Sequence, residues 1–281
     1  MKIGLVLEGG AMRGMFTAGV IDVLMENGIE FDGAIGTSAG AVFGCNYKSR
    51  QIGRTIRYNK KYCRDSRYVG FKNLILTGDL YGREFAYNEL PNKLDIFDTE
   101  TFSAHPMEFY VVATDVETGD AIYHKCIDGG VRDTTYMRAS ASMPLVSNIV
   151  EIDGKKMLDG GMADSIAIKE MEKMGYTKNV IILTQPMGFK KEPNKLLPLM
   201  RIKYRKYPKF VESVETRHTR YNETAEYIKA GETKGDMFVI FKVYTPKKLT
   251  REQKTLIDKL SKTDLDTPEI TKFNKFTKNN K

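Results

Sequence analysis

The chain has 281 residues, of which 41% are hydrophobic and 28% are charged, as is typical of a globular protein that buries a substantial core. Its net charge of +8 comes from two basic segments: residues 190–209 carry eight basic residues and one acidic residue, and residues 242–281 carry eleven and five. No apolar run approaches the roughly 18 residues of a membrane-spanning helix, and Glu8 interrupts the apolar N-terminus. We therefore expect neither a membrane span nor a signal peptide.

Cysteine is rare in this sequence, and the three residues Cys45, Cys63 and Cys126 form neither a CxxC pair nor a disulfide framework. Such a pattern is typical of a reducing compartment. We expect each thiol to be a small buried hydrophobic group and the protein to be cytoplasmic.

The first third of the chain alternates predicted strands and helices. Strands are predicted over residues 2–7 and 33–36, and helices over 12–27 and 39–50. Residues 51–97 are rich in Arg, Lys and Tyr without a regular apolar stripe, and we expect helices there that cover the edge of the sheet.

The middle of the chain continues this alternation. Strands are predicted over residues 108–114, 120–124 and 179–184, with a hairpin over 148–158 that turns at Asp153-Gly154. Helices are predicted over 131–142 and 166–175. The near-continuous apolar sequence of 179–184 is what a strand covered on both faces requires.

The last third of the chain is predicted to be mostly helical. Helices are expected over residues 195–206, 209–230 and 250–261, with a strand over 237–241. No internal repeat or linker is apparent. We expect one domain over residues 1–268, with its motifs within 3–185, a helical and basic part over 190–268, and a lysine-rich tail over 269–281.

The candidate nucleophile is Ser38, which follows a predicted strand and precedes a helix-compatible segment. It lies at the centre of a G-x-S-x-G pattern between Gly36 and Gly40. In α/β-hydrolases this pattern places a serine on a sharp strand-to-helix turn, and glycine permits the close packing of such a turn. The alternative is a glycine-rich turn whose serine only caps the helix.

A second glycine-rich loop, residues 8–14, follows the first predicted strand. Small residues in such a loop leave backbone N–H groups free to bind an anion. A dinucleotide site would need glycines where Gly9, Ala11 and Gly14 stand and an acid at the end of the second strand, and the sequence lacks the middle glycine and that acid. The other use is an oxyanion hole, in which Gly9, Gly10 or Ala11 would donate to a reacting carbonyl oxygen near the candidate serine.

Asp159, which begins an Asp-Gly-Gly sequence, is the candidate base. Alone, such a sequence is typical of a turn, but a serine hydroxyl is a weak nucleophile unless a base takes its proton. Histidine is the usual base, and the order Ser38, Asp159, His218 matches that of α/β-hydrolases. His218 lies in a charged stretch, however, while His105 precedes a proline and His124 ends a predicted strand.

Three motifs in this order resemble those of patatin-like phospholipases: the glycine loop 9–14, the serine motif 36–40, and the Asp-Gly-Gly motif at 159–161. Segment 138–144 also resembles that family, and the likeness spans roughly residues 3–185. The resemblance implies an α/β fold, a three-layer α/β/α sandwich with a mostly parallel central sheet. It also implies hydrolysis of lipid acyl esters by a Ser–Asp dyad that needs no histidine.

Carried onto this sequence, the resemblance makes Ser38 the nucleophile and Asp159 its base, and it assigns the oxyanion-hole amides to Gly9, Gly10 and Ala11. Position 11 departs from the family, which often has a third glycine there. The remaining motif positions are expected to support the site; they are Arg13, Gly14, Gly36, Gly40 and Gly160. No cofactor and no metal ion is expected to take part.

The resemblance thus predicts a serine acyl hydrolase of the phospholipase A, lysophospholipase or esterase type, acting on a lipid or other acyl-ester substrate through an acyl-enzyme on Ser38. Two alternatives stay open. One is a non-catalytic lipid-binding or regulatory protein on the same fold, which would not need an intact Ser38, Asp159 and glycine loop. The other is a Ser–Asp–His hydrolase that uses His218.

Residues 190–210 interleave eight Lys and Arg residues with leucine, methionine and aromatic residues. Such a segment is typical of a helix that packs on the core and exposes a basic face. It also suits peripheral contact with an anionic membrane, which an enzyme acting on lipids would need. No nucleic-acid-binding motif accompanies the charge, so a nucleic-acid partner is not expected.

Overall fold

The computed structural model describes residues 1–186, 188–231, 250–252 and 255. The chain divides into two compact units, Met1–Asp236 and Met237–Lys281, and all elements and sites described below belong to the first. The predicted strand over 237–241, most of the predicted helix over 250–261 and the tail lie outside the described residues. The single domain expected over 1–268 stays a prediction.

In the described residues, seven strands form one mixed sheet. They are β1 (Lys2–Leu7), β2 (Gly33–Thr37), β3 (Glu108–Asp115), β4 (Ala121–Cys126), β5 (Val150–Ile152), β6 (Lys155–Asp159) and β7 (Tyr176–Ile182). The pairing order is β5-β6-β3-β2-β1-β7, and β4 also pairs with β3. Strands β7, β1, β2 and β3 are parallel, whereas β4, β5 and β6 add antiparallel pairs. The predicted parallel sheet is therefore the central part of a mixed sheet.

Helices cover both faces of the sheet. They are α1 (Gly14–Glu26), α2 (Ala39–Lys48), α3 (Arg54–Tyr62), α4 (Phe71–Thr77), a wide π-type helix (Phe85–Leu94), α5 (Thr99–Ala104), α6 (Val131–Ser140), α7 (Ile168–Lys173), α8 (Leu197–Lys203) and α9 (Pro208–Gly231). Side chains of β1 alternate between the faces: Leu5 and Leu7 pack with α1, α2 and α6, and Val6 packs with α7 and α9. This arrangement confirms the predicted α/β/α sandwich.

Strand β3 brings the ends of two other strands together. Because β4 pairs along one edge of β3, β2 and β6 must follow one another along the other edge. Thr37, the last residue of β2, pairs with Val112, and Asp159, the last residue of β6, pairs with Ala113. The turn after β2 and the end of β6 are therefore neighbours in space.

Strand β7 differs from its prediction. It runs over Tyr176–Ile182 rather than 179–184, and among the described strands it is the last one beside β1. Val180 at its centre is 42% exposed. The predicted coverage of both faces is wrong because helices cover this edge of the sheet only in part.

Most other elements lie close to their predicted positions. The hairpin of β5 and β6 turns at Asp153 and Gly154, which both have a positive φ, 52° and 72°. Cys45 and Cys126 are buried thiols as predicted, whereas Cys63 is exposed at the end of α3, so the prediction is wrong there. None of the described helices combines the length and hydropathy that a membrane span requires.

Candidate active site

The side chains of Ser38 and Asp159 meet where β2 and β6 end. Ser38 Oγ donates a hydrogen bond to Asp159 Oδ2 at 2.6 Å, the short distance expected for a hydroxyl and a carboxylate. Both residues are buried. The hydroxyl makes no capping hydrogen bond to α2, so a mere helix cap is not its role. Serine and carboxylate have the direct contact that proton transfer requires.

Ser38 occupies a strained turn between β2 and α2. Its φ of 54° and ψ of −120° lie outside the regions that non-glycine residues favour, as on a nucleophile-bearing strand-to-helix turn. Its N–H donates to Ser140 Oγ at 2.8 Å. The flanking glycines allow the turn, because a Cβ on Gly36 would lie 2.5 Å from the Gly40 oxygen and a Cβ on Gly40 would lie 2.3 Å from the Leu7 oxygen.

Asp159 is held by groups on both its side chain and its backbone. Its second carboxylate oxygen, Oδ1, accepts the Gly161 N–H at 2.8 Å, and Thr114 Oγ1 donates to its carbonyl oxygen at 2.8 Å. Burial raises the pKa of Asp159 above its ordinary value, against the opposing effects of the Ser38 hydrogen bond, the charge of Arg217 and the Gly161 N–H. A carboxylate with a raised pKa is a stronger base than an ordinary aspartate.

The glycine loop after β1 lies directly against the Ser38 turn. A Cβ on Gly9 would lie 3.0 Å from the Thr37 oxygen and 3.1 Å from Ser38 Cβ, so the approach depends on glycine. Ala11 lines the same cavity as Ser38 and has a φ of 48°, a left-handed conformation that glycine adopts more readily. Within the described residues, no hydrogen-bond acceptor engages the backbone N–H groups of Gly9, Gly10 and Ala11. These groups are free donors close to the serine.

Contacts behind this loop fix its position. The buried Glu8 carboxylate accepts hydrogen bonds from the Tyr221 hydroxyl at 2.9 Å and from the Thr184 N–H. Thr184 Oγ1 donates to the Gly9 oxygen at 3.0 Å, and a Cβ on Gly10 would lie 2.5 Å from that same Oγ1. The loop is thereby tied to the segment after β7 and to α9.

The remaining motif residues occupy supporting positions. Gly14 packs on α2, where an added Cβ would lie 2.8 Å from Ala39 Cβ, and a Cβ on Gly160 would lie 2.1 Å from the Val112 oxygen. The Arg13 N–H donates to the Gly10 oxygen at 3.0 Å and closes a turn, while the Arg13 residue is exposed.

None of the three histidines, all of which lie in the described chain, hydrogen-bonds to the Ser–Asp pair. His218 Nδ1 bonds to the Glu215 carbonyl oxygen of its own helix at 2.9 Å. His124 Nε2 bonds to Asp133 at 2.8 Å, and His105 accepts a hydrogen bond from Arg50 at 3.2 Å. The geometry lends no support to the alternative in which His218 is the base.

Ser38 also lines an apolar cavity of about 130 Å³. Its walls come from α2, α3, the wide helix and α6, with side chains that include Phe43, Tyr58, Leu90 and Met137. The lining also includes the charged residues Arg54, Asp79, Arg83 and Arg138. A mainly apolar wall with some polar groups suits a hydrophobic chain. Residues 51–97 are helical as predicted, but they pack on α2 and form this wall rather than covering the sheet edge.

Two serines of segment 138–144 also organise the site. Ser140 Oγ accepts the Ser38 N–H, and the Ser142 carbonyl oxygen accepts the Asp159 N–H at 2.9 Å. The likeness of this segment to the family signals its importance, but the contacts of the two serines are visible only in the structure.

Arg217 on α9 is a further charged residue at the site that no sequence motif indicates. A Cβ on Gly161 would lie 3.2 Å from Arg217 Nη2 and 3.0 Å from Asp159 Oδ1, so these two atoms are at most 6.2 Å apart. Arg217 Nε is buried and has no hydrogen-bond partner among the residues that the structure describes. At this distance the guanidinium favours the ionised form of Asp159.

Among the described residues, one buried group has side chains that commonly bind metals: His124, Cys126 and Asp133, whose candidate atoms lie within 4.8 Å of one another. Asp133 Oδ1 already bonds to His124, and its Oδ2 accepts three backbone N–H groups of the preceding loop. The His124 ring stacks on Tyr136 at 3.7 Å. These contacts describe a structural anchor for the loop before α6.

Comparison with known proteins places this site in a family. The family model described as patatin-like phospholipase matches residues 5–171, more than half of the chain. The chain therefore belongs to the patatin-like phospholipase family.

Similar proteins include an uncharacterized protein, YjjU, of Escherichia coli, which is 32% identical over 197 residues, 66% of this chain and 52% of YjjU. Lysophospholipase nte1 of Aspergillus niger is 29% identical over 182 residues, 62% of this chain and 11% of that protein. The chain thus spans about half of the first relative and about a tenth of the second. A solved structure, VipD from Legionella pneumophila, matches 58% of this chain and 46% of its own at 15% identity, with a TM-score of 0.34, which is too low to support a conclusion.

Proposed function

We propose that the protein is a serine acyl hydrolase that cleaves carboxylic esters of lipids, with Ser38 as nucleophile and Asp159 as base. The observation that carries this proposal is the 2.6 Å hydrogen bond between Ser38 Oγ and Asp159 Oδ2, made at the wall of an apolar cavity. Membership of the patatin-like phospholipase family and similarity to proteins named lysophospholipases support a lipid ester as substrate.

The reaction follows from the contacts. Asp159 accepts the Ser38 proton as Oγ attacks the ester carbonyl carbon, and the carbonyl oxygen becomes an oxyanion. When the intermediate collapses, the C–O bond to the alcohol breaks and the alcohol leaves with the proton that Asp159 held. Asp159 then takes a proton from a water, whose oxygen attacks the acyl carbon. The bond from that carbon to Ser38 Oγ breaks, the fatty acid leaves, and Asp159 returns the proton to Oγ.

The oxyanion is stabilised in this proposal by the free N–H groups of Gly9, Gly10 and Ala11. Support comes from the close approach of Gly9 to the Ser38 turn and from the position of Ala11 on the same cavity. One such donor is typically worth about 3–4 kcal/mol in the transition state. These donors act on the charge that develops on the carbonyl oxygen, whereas Asp159 acts on the proton of Ser38.

The alternative of a non-catalytic lipid-binding protein leaves the strained conformation of Ser38 without a purpose. A φ of 54° on a serine costs on the order of 1–3 kcal/mol, and binding alone does not require it. A nucleophile that must face both the cavity and a hydrogen-bonded base explains the strain.

Active-site labelling tests the proposal. A fluorophosphonate should form one adduct, on Ser38, and Ser38→Ala should abolish both the adduct and the turnover of p-nitrophenyl esters. Asp159→Asn should lower turnover by about 10²-fold or more, since the general base is lost. Ser103→Ala, which changes an exposed serine of α5, is the matched control and should behave as wild type. An adduct on another residue, or undiminished turnover by Asp159→Asn, would contradict the assignment.

We also propose that residues 190–210 contact an anionic membrane. Leu196, Leu199 and Ile202 are exposed on and beside α8, and the basic residues among them carry positive charge to the same surface. Exposed apolar and basic side chains together favour the interface of a bilayer.

A further inference from the structure

Helix α4 exposes three large apolar side chains. Phe71 is 77% exposed, Ile75 82% and Leu76 70%, and α4 has no buried residue. Single exposed apolar residues are ordinary on protein surfaces, but a cluster of them marks an interaction site.

Helix α8 exposes a second apolar set next to a buried one. Met200 and Tyr204 pack in a core cluster with Phe210, whereas Leu199 is 50% and Ile202 71% exposed. The buried side chains therefore hold α8 against the core, and the apolar side chains of its other side are exposed to solvent.

The loop of residues 145–148 forms hydrogen bonds with residues at the ends of both helices. The Val146 carbonyl oxygen accepts the Leu80 N–H at 2.8 Å, and Asn148 Nδ2 donates to the Thr77 oxygen, at the end of α4, at 2.7 Å. Three positions before Asn148, the Leu145 N–H donates to the Tyr204 hydroxyl, at the end of α8, at 3.0 Å. The two helices thus end beside the same few residues.

This loop belongs to the cavity that contains Ser38. Met143 and Ser147 line that cavity, and so do Asp79 and Tyr81, which directly follow α4. We call the six exposed apolar residues beside this loop the docking face; they are Phe71, Ile75, Leu76, Leu196, Leu199 and Ile202.

The two segments that carry the docking face are basic, and the acidic residues near them lie outside these segments. Residues 66–77 and 195–206 contain seven Lys and Arg residues and no acidic residue. Three of the seven pair with acids outside these segments. In the described residues the other four have no ion pair; they are Lys72, Lys203, Arg205 and Lys206. Unpaired cations among exposed apolar side chains complement an anionic bilayer.

We propose that the docking face binds an anionic lipid bilayer, with α4 and α8 inserting their apolar side chains and the Ser38 cavity lying next to the lipid. This proposal adds α4 to the membrane contact proposed above for residues 190–210. That this contact delivers substrate rests on the proposed function, since a lipid ester must leave the bilayer to reach Ser38. The contact itself is a property of the surface.

Vesicle flotation with the Ser38→Ala protein tests the contact without hydrolysis. Binding to phosphatidylcholine vesicles that contain phosphatidylglycerol should exceed binding to phosphatidylcholine alone and should fall with salt. Phe71→Ser with Ile75→Ser should weaken binding at least about tenfold, because two large apolar side chains no longer enter the bilayer. Lys72→Glu with Lys206→Glu should weaken it roughly fivefold for each residue.

The matched control is Val23→Ser with Ile29→Ser, two exposed apolar residues on and after α1, which should bind vesicles as the parent does. Circular dichroism checks that each variant is folded. Three outcomes would overturn the proposal. The protein does not bind vesicles, the control loses as much binding as the α4 variant, or the protein self-associates instead of binding vesicles and Phe71→Ser abolishes that self-association. Failure of ester turnover by the wild type would instead count against the proposed function.

Discussion

At the scale of single residues, the two carboxylate oxygens of Asp159 have different partners. Asp159 Oδ2 accepts the Ser38 hydroxyl and Oδ1 accepts the Gly161 N–H, so one oxygen is free to take a proton while the other fixes the group. Burial raises the pKa of Asp159, the proposed base, and the charge of Arg217 opposes that rise.

Replacement of Arg217 should therefore change the pH dependence of the reaction. The base must be ionised, so kcat/KM falls as the pH drops through the pKa of Asp159. Arg217→Gln removes a nearby positive charge, raises that pKa further, and should move the acidic limb of the kcat/KM profile to higher pH. Arg217→Lys keeps the charge and should leave the limb near its wild-type position. An unchanged limb in Arg217→Gln would show that the guanidinium does not act on Asp159.

Ala11 offers a test of backbone strain at the proposed oxyanion loop. Its φ of 48° is unfavourable for alanine and not for glycine, so Ala11→Gly should raise the free energy of unfolding by up to about 1 kcal/mol and Tm by about 2–4 °C. Thermal unfolding measures this. Ala225→Gly, inside α9, should change stability in the opposite direction. A lower Tm for Ala11→Gly would mean that the alanine methyl group makes contacts worth more than the strain.

At the scale of elements, the helices between β2 and β3 were the hardest to interpret from sequence, for a physical reason. Their buried side chains include Tyr58, Tyr62 and Tyr68 and the charged Arg54, which bonds to Asn46 and to the Asp95 carbonyl oxygen. Burial through aromatic and hydrogen-bonded residues leaves no simple apolar stripe. The cavity wall that they form was therefore not predictable.

This wall should limit the acyl chain. Ala86, on the wide helix, lines the cavity, and Ala86→Phe would place a phenyl ring in a space of about 130 Å³. We expect the kcat/KM ratio of p-nitrophenyl octanoate to acetate to fall roughly tenfold, as about two methylene groups lose their burial. Ala86→Ser, similar in size, should keep the wild-type ratio. An unchanged ratio in Ala86→Phe would place the acyl chain elsewhere.

At the scale of the whole molecule, the sequence predicted the order of most strands and helices because β1 and β3 are largely apolar and because glycine-rich turns follow β1 and β2. The pairing of Ser38 with Asp159 was predicted through the resemblance of three motifs to the patatin-like family, because residues so far apart in sequence carry no local signal of their contact. The sequence did not predict the exposure of Val180 on β7 or the position of Arg217. Both depend on which elements distant in sequence pack together, and a local sequence pattern does not indicate such packing.

The position of Asp159 at the end of β6 has one more consequence. Ser38, the proposed nucleophile, follows a strand of the parallel centre of the sheet. Asp159, its proposed base, lies on a short antiparallel strand pair that is joined to β3 by three residue pairs. Detachment of that pair would remove the base and leave the parallel centre intact. Inactivation by heat or denaturant would then precede the loss of overall structure. A ligand that contacts both Ser38 and Asp159 would stabilise the pairing of β6 with β3 before it stabilises the rest of the fold.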